Sequence, residues 1–242
     1  MLRLRAALAD ENCGPRDLAP IAAGDPVLAG ALMRIGNSPV LYQRGQARTL
    51  VDIISRLGAQ KTFAVAVSTA LHARIKGVPA RVVDTIWSRS VEVARVALDV
   101  ALRAHRRDLA DDAYLAGLVH HAGVCVLLRR FPEHGALLDD TEGAGHEAAV
   151  ARLDAATDSD HAAIGYLVAR NWKLSARVCE SVRHHHLPDA PPSDEVATLG
   201  ALIAVGRRAL DGPNPDWELW APVAKRCLDL DDSTLTSLSG SA

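Results

Sequence analysis

The longest periodic segment of this 242-residue chain begins at Pro79 and runs to about His105. Its apolar side chains recur at the three- and four-residue spacing that places them on one face of an α-helix. They are Val83, Ile86, Trp87, Ala94, Leu98 and Leu102. Other apolar segments show the same spacing, and none shows the sustained two-residue alternation typical of β-strands. We therefore predict an all-α protein with roughly ten or more helices.

The composition supports a helical protein with a well-buried core. Hydrophobic residues make up 49% of the chain and aromatic residues only 4%, so small and branched side chains dominate. The formal net charge of -2 offers no basic surface for phosphates, which disfavours nucleic-acid binding. No apolar run approaches the roughly 20 residues of a membrane span, and the four cysteines form no C-x-x-C pair. We expect a cytoplasmic protein with reduced thiols.

Capping residues predict several helix boundaries. Asp25-Pro26 is a strong helix start, and Gly36-Asn37-Ser38-Pro39 is a matching stop. Thr49 is expected to cap a helix that ends at Gly58. Farther along, Asp158-Ser159-Asp160 predicts the start of another helix. The side chains expected on the buried face of that helix are Ile164, Leu167 and Val168.

Three short segments contain all of the candidate functional residues except His161. They are Trp87-Ser88-Arg89-Ser90, the segment Gly117–Gly123 with the pair His120-His121, and Arg183-His184-His185-His186. Together with the Asp25-Pro26 helix and His161, this pattern resembles the HDOD domain. HDOD domains are bacterial signalling relatives of the HD-domain phosphohydrolases that have lost the catalytic ligands.

The resemblance covers nearly the whole chain, from about residue 10 to residue 240. It implies an all-α, multi-helix fold in which an N-terminal helical bundle, residues 1–78, packs on a pseudo-HD bundle, residues 79–242. We expect the two bundles to share one core, because the connection Lys76–Pro79 is too short for a free linker. We find no receiver, GGDEF, EAL or kinase segment and expect a stand-alone regulatory module.

Metal-dependent catalysis is disfavoured by two replacements. An HD hydrolase uses histidines and carboxylates to hold one or two divalent cations, which activate a bound water. By resemblance, the first histidine ligand falls at Arg89 and the signature aspartate at His121. A guanidinium offers no lone pair, and at roughly 4 Å it repels a dication by about 8 kcal/mol with an effective dielectric near 20. The final carboxylate ligand has no assignable position. We therefore predict no catalytic residues, no cofactor and no metal.

Each candidate residue also has a plainer interpretation. His120 and His121 are compatible with hydrogen-bonded polar groups at a helix end, with metal ligands, or with ligand or partner contacts. Consecutive helical residues point about 100° apart, so His184-His185-His186 cannot all reach one ion. A helix C-terminus that favours partly cationic histidines explains that run. Arg89 is compatible with a solvated charge, with an ion pair to Asp84 or Glu92, or with an anion-binding group.

We expect the ligand- or partner-binding residues to be Arg89, His120, His121, His161, His185 and His186. The expected partner is a signalling protein, or a small anionic or nucleotide ligand such as a phosphate beside Arg89. A homodimer is also compatible with the sequence. The rival interpretation is a residual metal-dependent phosphohydrolase acting on a nucleotide, with a mononuclear site built from His120, His121 and either His185 or His186. Trp87 and Trp172 are expected to anchor the core.

Overall fold

The computed structural model describes residue 7 and residues 13–37, 47–72, 75–139, 145–187, 191–212 and 215–229. These residues form eleven α-helices and one 3-10 helix, and they contain no strand. The all-α prediction is therefore confirmed. None of the described helices is long and apolar enough to cross a membrane.

The chain divides into two compact units, Met1–Ala73 and Arg74–Ala242. The described residues of the first unit include three helices that contact one another. They are α1 (Pro15–Ala23), α2 (Pro26–Gly36) and α3 (Leu50–His72).

The predicted caps of this unit are present. The Asp25 side chain accepts hydrogen bonds from the first free backbone N–H groups of α2, at 3.0 and 3.2 Å. Helix α2 stops at Gly36-Asn37 as expected, whereas Ser38 and Pro39 lie outside the described residues. Thr49 caps α3, and Gly58 interrupts that helix with a φ of 76°, which only glycine adopts without strain.

The second unit contains the remaining eight α-helices and the 3-10 helix. Helix α4 confirms the long predicted helix, and it packs against both α5 and α10. Helix α8 packs against α6 and α9, and α10 packs against α11. The helices are α4 (Ala80–Arg103), α5 (Ala110–Val119), α6 (Ala122–Arg130), the 3-10 helix (Pro132–Leu138), α7 (Gly145–Thr157), α8 (His161–Asn171), α9 (Ala176–His184), α10 (Asp194–Asp211) and α11 (Pro215–Leu228).

The predicted buried face of α8 is wrong, although Asp160 caps the helix as expected. Leu167 is 62% exposed, and the neighbouring Ile164 and Val168 are only half-buried. The side chains that this helix buries are His161, Ala162, Gly165 and Ala169. Helix α8 therefore turns its small residues and one histidine inward, because the backbone of α6 lies too close for larger side chains.

The prediction for the tryptophans is also wrong. Trp87 and Trp172 are half-buried, and the fully buried tryptophan is Trp220 on α11. Its ring lies against Gly200 of α10, where an added β-carbon would lie 2.2 Å from a ring carbon. The indole N–H of Trp220 donates a 3.0 Å hydrogen bond to the carbonyl of His185, so the core reaches directly to a predicted site residue.

Gly123 lies inside a helix, although a glycine shortly after the His120-His121 pair would be expected to end the preceding helix. The break falls at His120 and His121, and Gly123 lies within α6. A β-carbon placed on Gly123 would lie 2.0 Å from the carbonyl oxygen of His161. Glycine is therefore required here because the backbones of α6 and α8 touch.

We expect Gly123→Ala to lower the free energy of unfolding by about 3 kcal/mol or more, because neither backbone can move away cheaply. Urea denaturation followed by circular dichroism measures this loss. Gly30→Ala is the control, since Gly30 is exposed on α2 and an added β-carbon would meet no atom of another element within 4 Å. The free energy of unfolding of that variant should rise by up to about 1 kcal/mol, because alanine has a higher helix propensity than glycine. Equal stability of the two variants would contradict the close approach.

Candidate functional site

Five of the six predicted site residues come together in the second unit. His120 and His121 lie between α5 and α6, His161 opens α8, and His185 and His186 follow α9. The centroids of neighbouring rings are 3.9 to 5.8 Å apart. All of these side chains are buried except His186, which is 26% exposed. We call these five residues the histidine cluster.

His184 does not belong to the cluster, although it is part of the same histidine run. Its ring lies 3.6 Å from Glu180, one turn back along α9. Helix α9 ends at His184, so the next two residues leave the helical spacing and both reach the cluster. The expectation that three consecutive histidines cannot share one point therefore holds for His184 and does not limit His185 and His186.

Sequence reasoning missed four charged or polar residues beside the cluster. His146 and Glu147 come from α7, Arg207 from α10 and Asp216 from α11. Arg207 is 1% exposed, and its guanidinium donates hydrogen bonds to Glu147 at 2.6 Å and to Asp216. One sequence signal could have revealed it: an arginine at the end of the apolar run Leu199–Gly206 predicts a buried charge that needs acidic partners.

Burial disfavours the charged form of His120, His121, His185 and His186 and of the neighbouring His146. It lowers the pKa of His120 to about 3 and that of His146 to about 4, and it holds the pKa values of His121 and His185 well below the usual value. The pKa of His186 is lowered as well, again chiefly by burial. The explanation of His185 and His186 as partly cationic residues at a helix end is therefore wrong, because desolvation outweighs the helix dipole.

The two neighbouring carboxylates are ionised. Burial alone would raise the pKa of Glu147, but the charge of Arg207 and the contact with His121 hold it well below its usual range. Burial would also raise the pKa of Asp216, and its hydrogen bond to His186 together with Arg207 reverses that effect. Both carboxylates are consequently committed to Arg207.

Arg89, the sixth predicted residue, lies outside the histidine cluster. It forms an ion pair with Asp211 at the end of α10, and neither side chain is more than 22% exposed. The ion-pair alternative is therefore the one found, with Asp211 as the partner in place of the suggested Asp84 or Glu92; Glu92 pairs with Arg95 instead. The charge of Arg89 still contributes to the low pKa of His146, after burial. An unpaired guanidinium, on which the predicted anion site depends, is not found at this position.

Hydrogen bonds fix which ring nitrogen of three cluster histidines carries the proton. The Nδ1 atoms of His161, His185 and His186 lie 2.6 Å from Asp154, 2.6 Å from the Val182 carbonyl and 2.5 Å from Asp216. Each of these partners only accepts, so each Nδ1 donates. The Nε2 atoms then carry lone pairs. Nε2 of His161 lies 3.3 Å from Nε2 of His185 and 3.1 Å from Nε2 of His186.

Four histidines in this region are placed to share one metal ion. His121, His161, His185 and His186 each offer one ring nitrogen, and these four atoms lie within 4.8 Å of one another. Nε2 of His121 makes no hydrogen bond to the described residues. A histidine that binds a metal ion through one ring nitrogen usually donates a hydrogen bond from the other to a carboxylate or a backbone carbonyl.

Comparison with known proteins agrees with this architecture. The chain is 23% identical over 223 residues to an uncharacterised protein of Treponema pallidum, covering 89% of this chain and 42% of that protein. A Shewanella amazonensis structure, provisionally named a metal-dependent phosphohydrolase, aligns with a TM-score of 0.68 and 20% identity over 99% of this chain and 89% of its own. A Marinobacter aquaeolei structure, provisionally named a signal transduction protein, aligns with a TM-score of 0.58 and 20% identity over 99% of this chain and 57% of its own.

These likenesses, all below 25% identity, show a shared fold, and the chain spans less than half the length of its Treponema relative. The family match is more specific. Residues 1–188, more than half of the chain, match the HDOD domain. That match ends before Arg207, Asp211 and Asp216, so these three charged residues come from beyond it, whereas Glu147 lies within it. The chain is a member of the HDOD domain family.

Proposed function

We propose that this protein is a non-catalytic regulatory module of bacterial signal transduction that acts by binding a partner. The observation that carries the proposal is that two carboxylates beside the histidine cluster are already paired with an arginine. Glu147 and Asp216 both pair with the buried Arg207, so neither is available to bridge two metal ions or to activate a water. The name of the Marinobacter structure and the usual role of the family support signalling.

The burial of the cluster also favours a regulatory role over catalysis. The side chains of His120, His121, His161 and His185 are at most 3% exposed. Of the five cluster histidines, His186 alone reaches solvent, at 26% exposure. A phosphoryl group would need to displace packed side chains to contact the histidines, whereas a catalytic centre keeps an open coordination position for its substrate.

A protein partner fits the charges better than a small anion does. Arg89 and Arg207 are the cations beside the cluster among the described residues, and each already contacts at least one carboxylate. An anionic or nucleotide ligand would have to break one of these buried ion pairs, which costs several kcal/mol, on the order of 3–5. Contact through the outer faces of the helices needs no such break.

The rival function, a residual phosphohydrolase, is favoured by the four converging histidine nitrogens and by the name of the Shewanella structure. Metal content alone does not separate the two functions, because a closed four-histidine site also holds metal. The deciding measurement is turnover of bis(p-nitrophenyl) phosphate and of nucleotides with added Mn²⁺, Fe²⁺ or Zn²⁺. We expect no turnover above buffer. Metal-dependent turnover that His121→Gln abolishes would establish the hydrolase instead.

Partner binding is tested by crosslinking in cells of the source bacterium and then by measuring affinity with purified components. We expect a crosslinked signalling protein that binds the purified chain directly. The control is a nucleotide panel titrated calorimetrically into the same preparation. Binding of a nucleotide, with no crosslinked protein that binds on reconstitution, would contradict a protein partner.

A further inference from the structure

Three imidazoles in the histidine cluster turn lone pairs toward one point. The Nδ1 protons of His161, His185 and His186 are used in hydrogen bonds to acceptors, which leaves each Nε2 without a proton. For His186, Arg207 also lies 3.4 Å from Nδ1, but the 2.5 Å contact between Nδ1 and Asp216 requires a proton between those two atoms. Arg207 is therefore not the donor at this ring.

Lone pairs that face each other at 3.1 and 3.3 Å repel unless a positive species lies between them. A single extra proton can bridge only one of these two contacts. It would leave the third Nε2 unpaired, and Nε2 of His121, 3.7 Å from Glu147, would still make no hydrogen bond to the described residues. One cation in contact with all four rings would satisfy every one of these nitrogens.

The separations and the charges both fit a divalent ion. Nitrogens about 2.0–2.1 Å from a tetrahedral zinc ion lie about 3.3–3.4 Å from one another. The contacts between Nε2 atoms are close to that value. Three carboxylates, Asp154, Glu147 and Asp216, contact the histidines. Among the described residues, the guanidinium of Arg207 pairs with two of them, and the charge of Arg89 is balanced by Asp211. The excess of two negative charges is the charge that a divalent cation balances.

We propose that His121, His161, His185 and His186 bind one divalent transition-metal ion of the zinc or iron(II) class. Imidazole donors select such ions over magnesium or calcium. Asp154, Asp216 and the Val182 carbonyl are the positioning partners of three of the rings. With four protein ligands the site is closed, so the ion ties together the ends of α5, α8 and α9 and needs no substrate. This goes beyond the proposed signalling function and does not depend on it.

The proposal departs from the metal-free pocket expected from the sequence. That expectation rested on Arg89 at a ligand position. The structure places Arg89 against Asp211, and the four-histidine group does not include it.

The test uses the full chain, purified without a polyhistidine tag and stripped with chelator. Calorimetric titration with Zn²⁺ should give one ion per chain, and Co²⁺ should give the intense visible bands of a four-coordinate site. We expect His186→Asn to weaken Zn²⁺ binding at least tenfold, because this ring is partly exposed and its loss spares the core. His184→Asn is the matched control, since the adjacent ring lies against Glu180 and should retain full affinity.

Asp154→Asn tests the positioning partners and should weaken binding about 10- to 100-fold. Thermal unfolding supplies a second readout that does not depend on any variant: saturating Zn²⁺ should raise the Tm of the unmodified protein. Absence of stoichiometric binding would overturn the proposal. So would equal affinity of the His184→Asn and His186→Asn variants, which would place the bound ion elsewhere on the surface.

Discussion

Replacing Arg207 with methionine should lower the free energy of unfolding by about 3–5 kcal/mol. Methionine fills a similar volume but leaves Glu147 and Asp216 as neighbouring carboxylates without their counter-charge. Glu147 is the more affected, because its side chain is only 13% exposed and water cannot replace the lost pairing. Chemical denaturation in the presence of chelator, which removes any contribution of bound metal, measures the loss.

Arg103→Met is the matched control for this prediction. Arg103 pairs with Asp99 one turn away on α4, but it is 64% exposed, so the same substitution should cost less than about 0.5 kcal/mol. A rescue experiment isolates the cause: Arg207→Met combined with Glu147→Gln and Asp216→Asn should recover most of the lost stability. If the triple variant is no more stable than the single one, the loss comes from packing and not from unpaired charge.

Acidification should lower the free energy of unfolding by about as much as Arg207→Met does, because it protonates histidines that are buried in the folded protein. His120 and His146 titrate near 6.5 when unfolded, but their pKa values in the folded protein are about 3 and about 4, chiefly because of burial. Below pH 6.5 these two histidines therefore bind protons in the unfolded chain but not in the folded protein. Each such histidine removes about 1.4 kcal/mol per pH unit until its folded pKa is reached. The stability is thus present above about pH 6.5 and is lost as the pH falls toward 4.

Denaturation curves at several pH values, again with chelator present, should show a loss of roughly 5 kcal/mol from these two residues between about pH 7 and 4.5. His146→Leu should flatten this dependence by about 1.4 kcal/mol per pH unit, because neither ring nitrogen of His146 makes a hydrogen bond to the described residues. His105→Asn is the control at an exposed histidine and should leave the slope unchanged. A slope that His146→Leu does not alter would contradict the burial argument.

The sequence by itself determined the helical class and several helix ends. The Asp25, Thr49 and Asp160 caps and the break at Gly58 act through atoms within a few residues, so their residue types suffice to predict them. It also identified five histidines and one arginine as candidates through a family resemblance. That resemblance identified their positions along the chain, but it did not predict which residues contact them or how deeply they are buried.

Tertiary structure alone decided the burial and pairing of those side chains. Arg89 pairs with Asp211, which is 122 residues away in the sequence, and Arg207 pairs with Glu147, which is 60 residues away. No local sequence pattern links residues that are so far apart along the chain. The inward face of α8 likewise depends on how closely α6 approaches at Gly123. The protonation state of each titratable side chain depends on its burial and on the charges around it, and both are set by tertiary packing. The lowered pKa values of His185 and His186, where a helix end predicted partly cationic rings, therefore became visible only once the helices were packed together.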